Sequence, residues 1–221
     1  MKSRVRMRGP EAGGAKEGSP EIYFGDPDGI VVQLQDPKYC GGAGLLGEVC
    51  AAAPEPAPSK GLLAVRDLSH FTIRVSDAKR SNAFYQKLFG LTVRAMQGAT
   101  PAWAIGSGVQ FLMFTGATAS AATGGTPSRP SGIDHVCLNL DNFNVERILK
   151  TLESAGIKPR GDAPGPVGPL MSYVSMRMAN RGGAKEGTPE LYFTDPDGLL
   201  IQLQDLKYCG GGGYLGDVCP A

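Results

Sequence analysis

Apolar and polar positions begin to alternate regularly at Val65. The stretch "DLSHFTIRV" (67–75) repeats with a period of two, as a half-buried strand does. "DAKRSNAFYQKLFG" (77–90) then changes to helical spacing, with Asp77 as N-cap, an apolar stripe of Ala83, Phe84, Leu88 and Phe89, and Gly90 as the stop. "LTVRAMQG", "PAWAIG" and "VQFLMF" read as three short strands parted by glycine and proline. Beyond the loop "TGATASAATGGTPSRPSG" the same order starts again. "GIDHVCLNL" (132–140) is a strand and "NVERILKTLESAGI" (144–157) a helix ending at Gly156, while "SYVSMRM", "PELYF" and "GLLIQLQ" supply three more strands. Residues 65–205 thus hold two βαβββ units in tandem, about 65–115 and 132–205, ahead of a cysteine-bearing tail, 206–221.

The upstream part repeats the end of this pattern. Residues 3–50 align with 172–219 without a gap, and 32 of the 48 positions are identical, which marks a duplication. The copy carries three strands but no opening strand and helix. "AAAPEPAPSKG" (51–61) reads as a semi-extended linker. The expected organisation is therefore a partial repeat at 1–50, an Ala/Pro linker at 51–62 and a main domain at 63–221. A three-stranded fragment leaves an apolar face and unpaired edges, so it is expected to dock on the main domain or on a second chain, giving a homodimer through residues 1–50.

Composition narrows the function. With 221 residues, 42% of them hydrophobic, the chain can bury one good core and part of a second. A net charge of +1 without a Lys/Arg block argues against nucleic acid and anionic membranes as partners and favours a small-molecule substrate. No apolar run reaches bilayer-spanning length, and the basic start "MKSRVRMRG" leads into Pro and Glu rather than the apolar region of a signal peptide. Four of the five cysteines form two copies of one spacing, Cys40/Cys50 and Cys209/Cys219, across glycine-rich loops. That spacing suits a disulfide-closed loop, and hence an oxidising, extracytoplasmic compartment, better than a zinc site; reduced thiols are the alternative. Cys137 is the odd thiol.

The chain has two histidines, His70 and His135, at matching places in the opening strands of the two units. Alternation puts Thr72 and Arg74 on the face of His70, and Cys137 and Asn139 on that of His135. Each unit closes with a glycine followed four residues later by glutamine, Gly106 to Gln110 and Gly198 to Gln202. If the units pair into one curved wall, His70, Gln110, His135 and Gln202 converge. Glu190 and Tyr192 share a strand face and are candidates for proton transfer, although a surface role for Glu190 is the alternative. Arg177 is read either as a partner for an anionic substrate group or as a solvated edge charge. Cys137 is read as a pocket-wall residue, and Trp103 as pocket lining or core.

"SHFTIRVSDAKRSNAFYQKLFGL", "GIDHVCLNL" and "YFTDPDGLLIQL" resemble the vicinal oxygen chelate superfamily, which includes glyoxalase I, bleomycin-resistance proteins and extradiol dioxygenases. The resemblance implies an α+β fold in which paired βαβββ modules form a curved, partly open eight-stranded mixed sheet around a divalent metal ion (Fe, Mn, Ni, Zn or Mg). It implies His70, Gln110, His135 and Gln202 as metal ligands and Tyr192 beside the substrate. Two departures matter. Gln202 stands where a glutamate is usual, as does Gln33 in the upstream copy, and "GGAKEGTPELY" lacks the histidine that precedes the tyrosine in the dioxygenase signature. Neutral amide ligands leave the cation its full charge, weakening its binding and strengthening it as a Lewis acid. Two readings follow. One is a metal-dependent enzyme, a lyase or isomerase working through an enolate or a ring-cleaving dioxygenase. The other is a metal-free binding module of the drug-sequestering kind.

Overall fold

A computed structural model of the chain describes residues 2–12, 14, 16–35, 60–106, 110–116, 130–161, 167–181 and 183–206. The chain divides into two compact units, Met1–Lys60 and Gly61–Ala221. The first holds β1 (Ser3–Arg8), β2 (Ser19–Gly25) and β3 (Val31–Leu34). In the second, β4 (Val65–Val75), α1 (Ala78–Phe89), β5 (Val93–Gln97), β6 (Thr100–Ala104) and β7 (Phe111–Gly116) make one module. Its second module is β8 (Gly132–Leu140), α2 (Val145–Ser154), the two-residue β9 (Lys158–Pro159), β10 (Met171–Arg177), β11 (Thr188–Thr194) and β12 (Leu200–Asp205). All four cysteines expected to form disulfides lie outside the described residues, as does the Ala/Pro linker apart from its last residues. No helix among the described residues is long and apolar enough to cross a membrane.

The two modules form a single mixed sheet in the order β5-β6-β7-β4-β8-β12-β11-β10-β9. The expected eight strands are present. The ninth is the extended pair Lys158–Pro159, which lies parallel to the start of β10 as the chain leaves α2. Each opening strand runs parallel to the closing strand of its own module, β4 beside β7 and β8 beside β12. The two opening strands pair antiparallel with each other at the sheet centre. This topology brings the two histidines together.

One face of the sheet is apolar and carries the helices. Asn144 caps α2 by accepting from Arg147 N at 2.8 Å, and Ile148 and Leu152 pack on Leu140, Leu191 and Leu203. The helix ends at Ser154, two residues before the expected stop, and Gly156 takes φ +86° while Ile157 N returns to Leu152 O. Asp77 caps α1 and Gly90 closes it at φ +64°, as the sequence predicts, but the buried line differs from the expected stripe. Ser81 and Tyr85 face the sheet, with the Tyr85 ring 4.5 Å from that of Phe114, while Leu88 and Phe89 are 43% and 39% exposed.

The opposite face is buried as well, and it is polar over β8 and β12. Alternation along β12 sends Leu203 to α2 and Gln202 and Gln204 the other way, and His135, Cys137 and Asn139 on β8 follow them. Two bulges interrupt this regularity beside the histidines. The β4–β8 register shifts between Leu68 and His70, and again between Thr72 and Ile73 opposite His135 and Ile133. Ser69 and Asp134 are the extra residues.

The first unit reproduces β10–β12 strand for strand. Ser3 pairs with Phe24 and Arg8 with Ser19, as Ser172 pairs with Phe193 and Arg177 with Thr188. Both copies make the same "DPDG" turn, in which Asp26 and Asp195 each accept two backbone N–H groups through Oδ1. Burial separates them, because among the described residues β3 has no counterpart of β8 at its outer edge. Gln33 is exposed where Gln202 is 1% exposed.

Candidate functional site

The buried polar face centres on two imidazoles. His70 Nε2 lies 3.2 Å from His135 Nε2, and the rings meet edge to face with centroids 5.3 Å apart. Phe111 stacks flat on His70 at 4.2 Å, and Tyr192 meets His135 edge-on at 5.5 Å, with Tyr173 stacked behind it at 5.0 Å. Gln202 sits opposite Cys137 on one side and Tyr192 on the other, and it hydrogen-bonds His70. Burial holds His70 well below the usual imidazole value. The positive potentials of His135 and Arg177 act the same way, and the Gln202 hydrogen bond opposes them. His70 is therefore neutral at physiological pH, the form in which an imidazole ligates a cation.

Behind the pair lies an ion pair, Arg177 Nε to Glu190 Oε1 at 3.0 Å, with Arg177 wholly buried and Glu190 4% exposed. The solvated-edge and surface alternatives for these two residues are thereby overturned. The register opposite β11 forces them inward from the same face as Tyr192. Cys137 is fully enclosed, and burial pushes its thiol well up, so it packs as a small hydrophobe.

One sequence expectation needs correction. Gln110 does not join the convergence: the parallel register pairs His70 with Phe111, whose ring occupies the place beside the imidazole, and Gln110 is one position out of phase. Of the two readings of Trp103, core holds and pocket lining does not: it is 4% exposed and faces α1, where its Nε1 donates to Asn82 Oδ1 at 2.7 Å. Asn139 shares the inner face and donates through Nδ2 to Asp67 Oδ1 at 2.7 Å, while its buried Oδ1 has no hydrogen-bond partner among the described residues. The sequence reading also missed Phe111, Tyr173, Ser69 and Asp134. The last two leave a signal, since each histidine directly follows a small polar residue, "SH" and "DH".

The donor set fits a divalent cation held loosely. Two Nε2 atoms converge next to a buried carboxamide whose Nε2 finds no hydrogen-bond partner among the described residues. An amide in that position is committed through its oxygen side. No three His, Cys, Asp or Glu side chains cluster among the described residues, and the nearby Glu190 carboxylate is engaged by Arg177. The set is thus two imidazoles and one neutral oxygen, without a carboxylate.

The sequence profile of the Glyoxalase/Bleomycin resistance protein/Dioxygenase superfamily matches residues 67–203. The chain belongs to this superfamily. No curated protein matches it by sequence. Among solved structures it is similar to the Mn(II)-bound glyoxalase from Novosphingobium aromaticivorans, with a TM-score of 0.53 and 15% identity over 96% of this chain and 59% of that one. A catechol 2,3-dioxygenase gives 0.51 and 15% over 96% and 60%. The homoprotocatechuate 2,3-dioxygenase from Arthrobacter globiformis gives 0.51 and 17% over 91% and 52%. This superfamily member therefore spans little more than half the length of those chains, and at such identities the likeness establishes its fold alone.

Proposed function

We propose that the protein is a metal-dependent enzyme acting on a small substrate that offers one or two adjacent oxygens. The observation that carries this reading is the approach of the His70 and His135 Nε2 atoms to 3.2 Å beside the Gln202 amide, on a buried face. His70, His135 and Gln202 would hold the cation. A divalent cation there supplies Lewis acidity, stabilising negative charge on a carbonyl or enolate oxygen. The protein's own groups do the rest. Phe111, Tyr173 and Tyr192 wall the site with rings that exclude water and leave a flat apolar surface. Tyr192, whose ring is edge-on to His135, is the proposed proton donor through its hydroxyl. Glu190, whose Oε1 is held by Arg177, is the proposed base.

Lyase or isomerase chemistry fits better than ring-cleaving oxygenation. Oxygen-activating iron sites of the two-histidine type use a carboxylate as third ligand, and here that place holds Gln202 while Glu190 is tied to Arg177. The same absence of a carboxylate favours the second reading, a metal-free binding pocket for an aromatic ligand. Calorimetric titration with Mn2+, Ni2+ and Zn2+ separates the two. The enzyme reading requires one site per chain, lost in both His70→Ala and His135→Ala; a chain that takes up no stoichiometric cation is a binding module.

A further inference from the structure

Each histidine of the pair follows a bulged residue whose side chain reaches the ring nitrogen remote from the pair. Ser69 Oγ lies 3.2 Å from His70 Nδ1, and Asp134 Oδ1 lies 3.0 Å from His135 Nδ1. A bulge re-aims a side chain against the strand alternation, which is why Ser69 and His70 are both buried although adjacent. The two partners differ in what they can do. An ionised carboxylate only accepts, whereas a hydroxyl donates or accepts. Asp134 is paired as a carboxylate with Arg74, whose Nη1 donates to Oδ2 at 2.6 Å and whose Nε donates to Pro130 O at 3.0 Å.

The tautomers follow. His135 Nδ1 must carry a proton to donate to Asp134, so in the neutral ring Nε2 presents a lone pair toward His70. Two lone pairs facing at 3.2 Å repel. In the absence of a cation, neutral His70 therefore keeps its proton on Nε2, and its Nδ1 accepts from the Ser69 hydroxyl. With a cation at the pair both Nε2 atoms must offer lone pairs. His70 then loses its Nε2 proton and gains one at Nδ1, staying neutral, and Ser69 turns to accept. We propose that Asp134 and Ser69 are positioning residues with unequal tasks: Asp134 locks His135 in one tautomer, while Ser69 reverses its hydrogen bond so that His70 exchanges tautomers as the cation enters. This rests on the reading of the pair as a cation site.

Long-range proton–nitrogen correlation spectra of the full chain, labelled with 15N-histidine at pH 8, read both tautomers directly. Chelator-treated protein is expected to show His135 protonated at Nδ1 and His70 at Nε2. Saturating Zn2+ inverts the His70 pattern and leaves that of His135. Asp134→Asn, whose amide can donate as well as accept, loses the single His135 tautomer. Ser69→Ala keeps the His135 tautomer but weakens Zn2+ binding about tenfold, within the range for lost ligand partners. A His135 ring protonated at Nε2 in metal-free protein, or a tautomer unmoved by Asp134→Asn, overturns the positioning roles even if Zn2+ binds. Histidine signals untouched by Zn2+ overturn the cation reading, and the Ser69 reversal with it.

Discussion

At the scale of single residues, Gln202 sets how tightly this site can hold a cation. Gln202→Glu places a carboxylate beside two imidazoles with little change in volume. It is expected to tighten Mn2+ binding at least about tenfold in calorimetry, because a charged oxygen ligand replaces a neutral one. The Arg177–Glu190 pair behaves differently, since both partners are enclosed. Arg177→Met strands a buried carboxylate and should cost about 3–5 kcal/mol in urea unfolding, whereas Glu190→Gln with Arg177→Met in one chain recovers much of that loss. His70 gives a pH signature in chelator-treated protein. Its folded value is depressed, so its contribution is complete above the unfolded value of about 6.5 and is lost as pH falls below it, with a slope of at most about 1.4 kcal/mol per pH unit. Stability measured from pH 8 down to 5 should fall, and His70→Phe should flatten that fall. No change between the two chains over this range would show that His70 takes up a proton as freely folded as unfolded.

At the scale of elements, the duplicated hairpin offers a controlled comparison, because two nearly identical strand sets sit in unlike surroundings. Leu203 on β12 is 2% exposed against α2, and its counterpart Leu34 on β3 is 39% exposed. Leu203→Ala is expected to cost about 2–5 kcal/mol and Leu34→Ala less than about 0.5 kcal/mol, read from the shift in urea midpoint. Equal costs would mean that β3 is buried by a partner of its own. The elements themselves were legible in the sequence, because both helices carry polar N-caps and glycine stops and the strands keep a clean period of two. What stayed hidden were single-residue changes of phase. The spacing from Gly106 pointed to Gln110, yet the register delivered Phe111, and a slip of one position reverses every side chain of a strand. The bulges at Ser69 and Asp134 are likewise invisible to a period-two reading, which has no place for an extra residue. Trp103 and the inner line of α1 were ambiguous because a large ring satisfies either face until the neighbouring helix is placed.

At the scale of the whole molecule, one topological fact makes the site: the opening strands of two βαβββ modules pair with each other, and each keeps its closing strand on its other side. The pseudo-symmetry of the sequence carried this much, since histidines at matching places in a duplicated module must approach when the modules abut. The closing strands broke that symmetry, with Gln202 reaching His70 from one module and an aromatic ring from the other. The site is consequently lopsided: Phe111 alone flanks the pair toward β7, whereas toward β12 Gln202 is flanked by the Tyr192 and Tyr173 rings. A substrate is expected to lay its apolar part against Phe111 and its oxygens toward Gln202. Phe111→Ala should therefore weaken substrate binding while leaving Mn2+ affinity within about threefold. The most direct test of the central claim is anomalous diffraction at the manganese edge from crystals equilibrated with Mn2+. The account predicts one peak per chain at the His70–His135 pair, in contact with Gln202, and a peak elsewhere or none at saturating Mn2+ would contradict it.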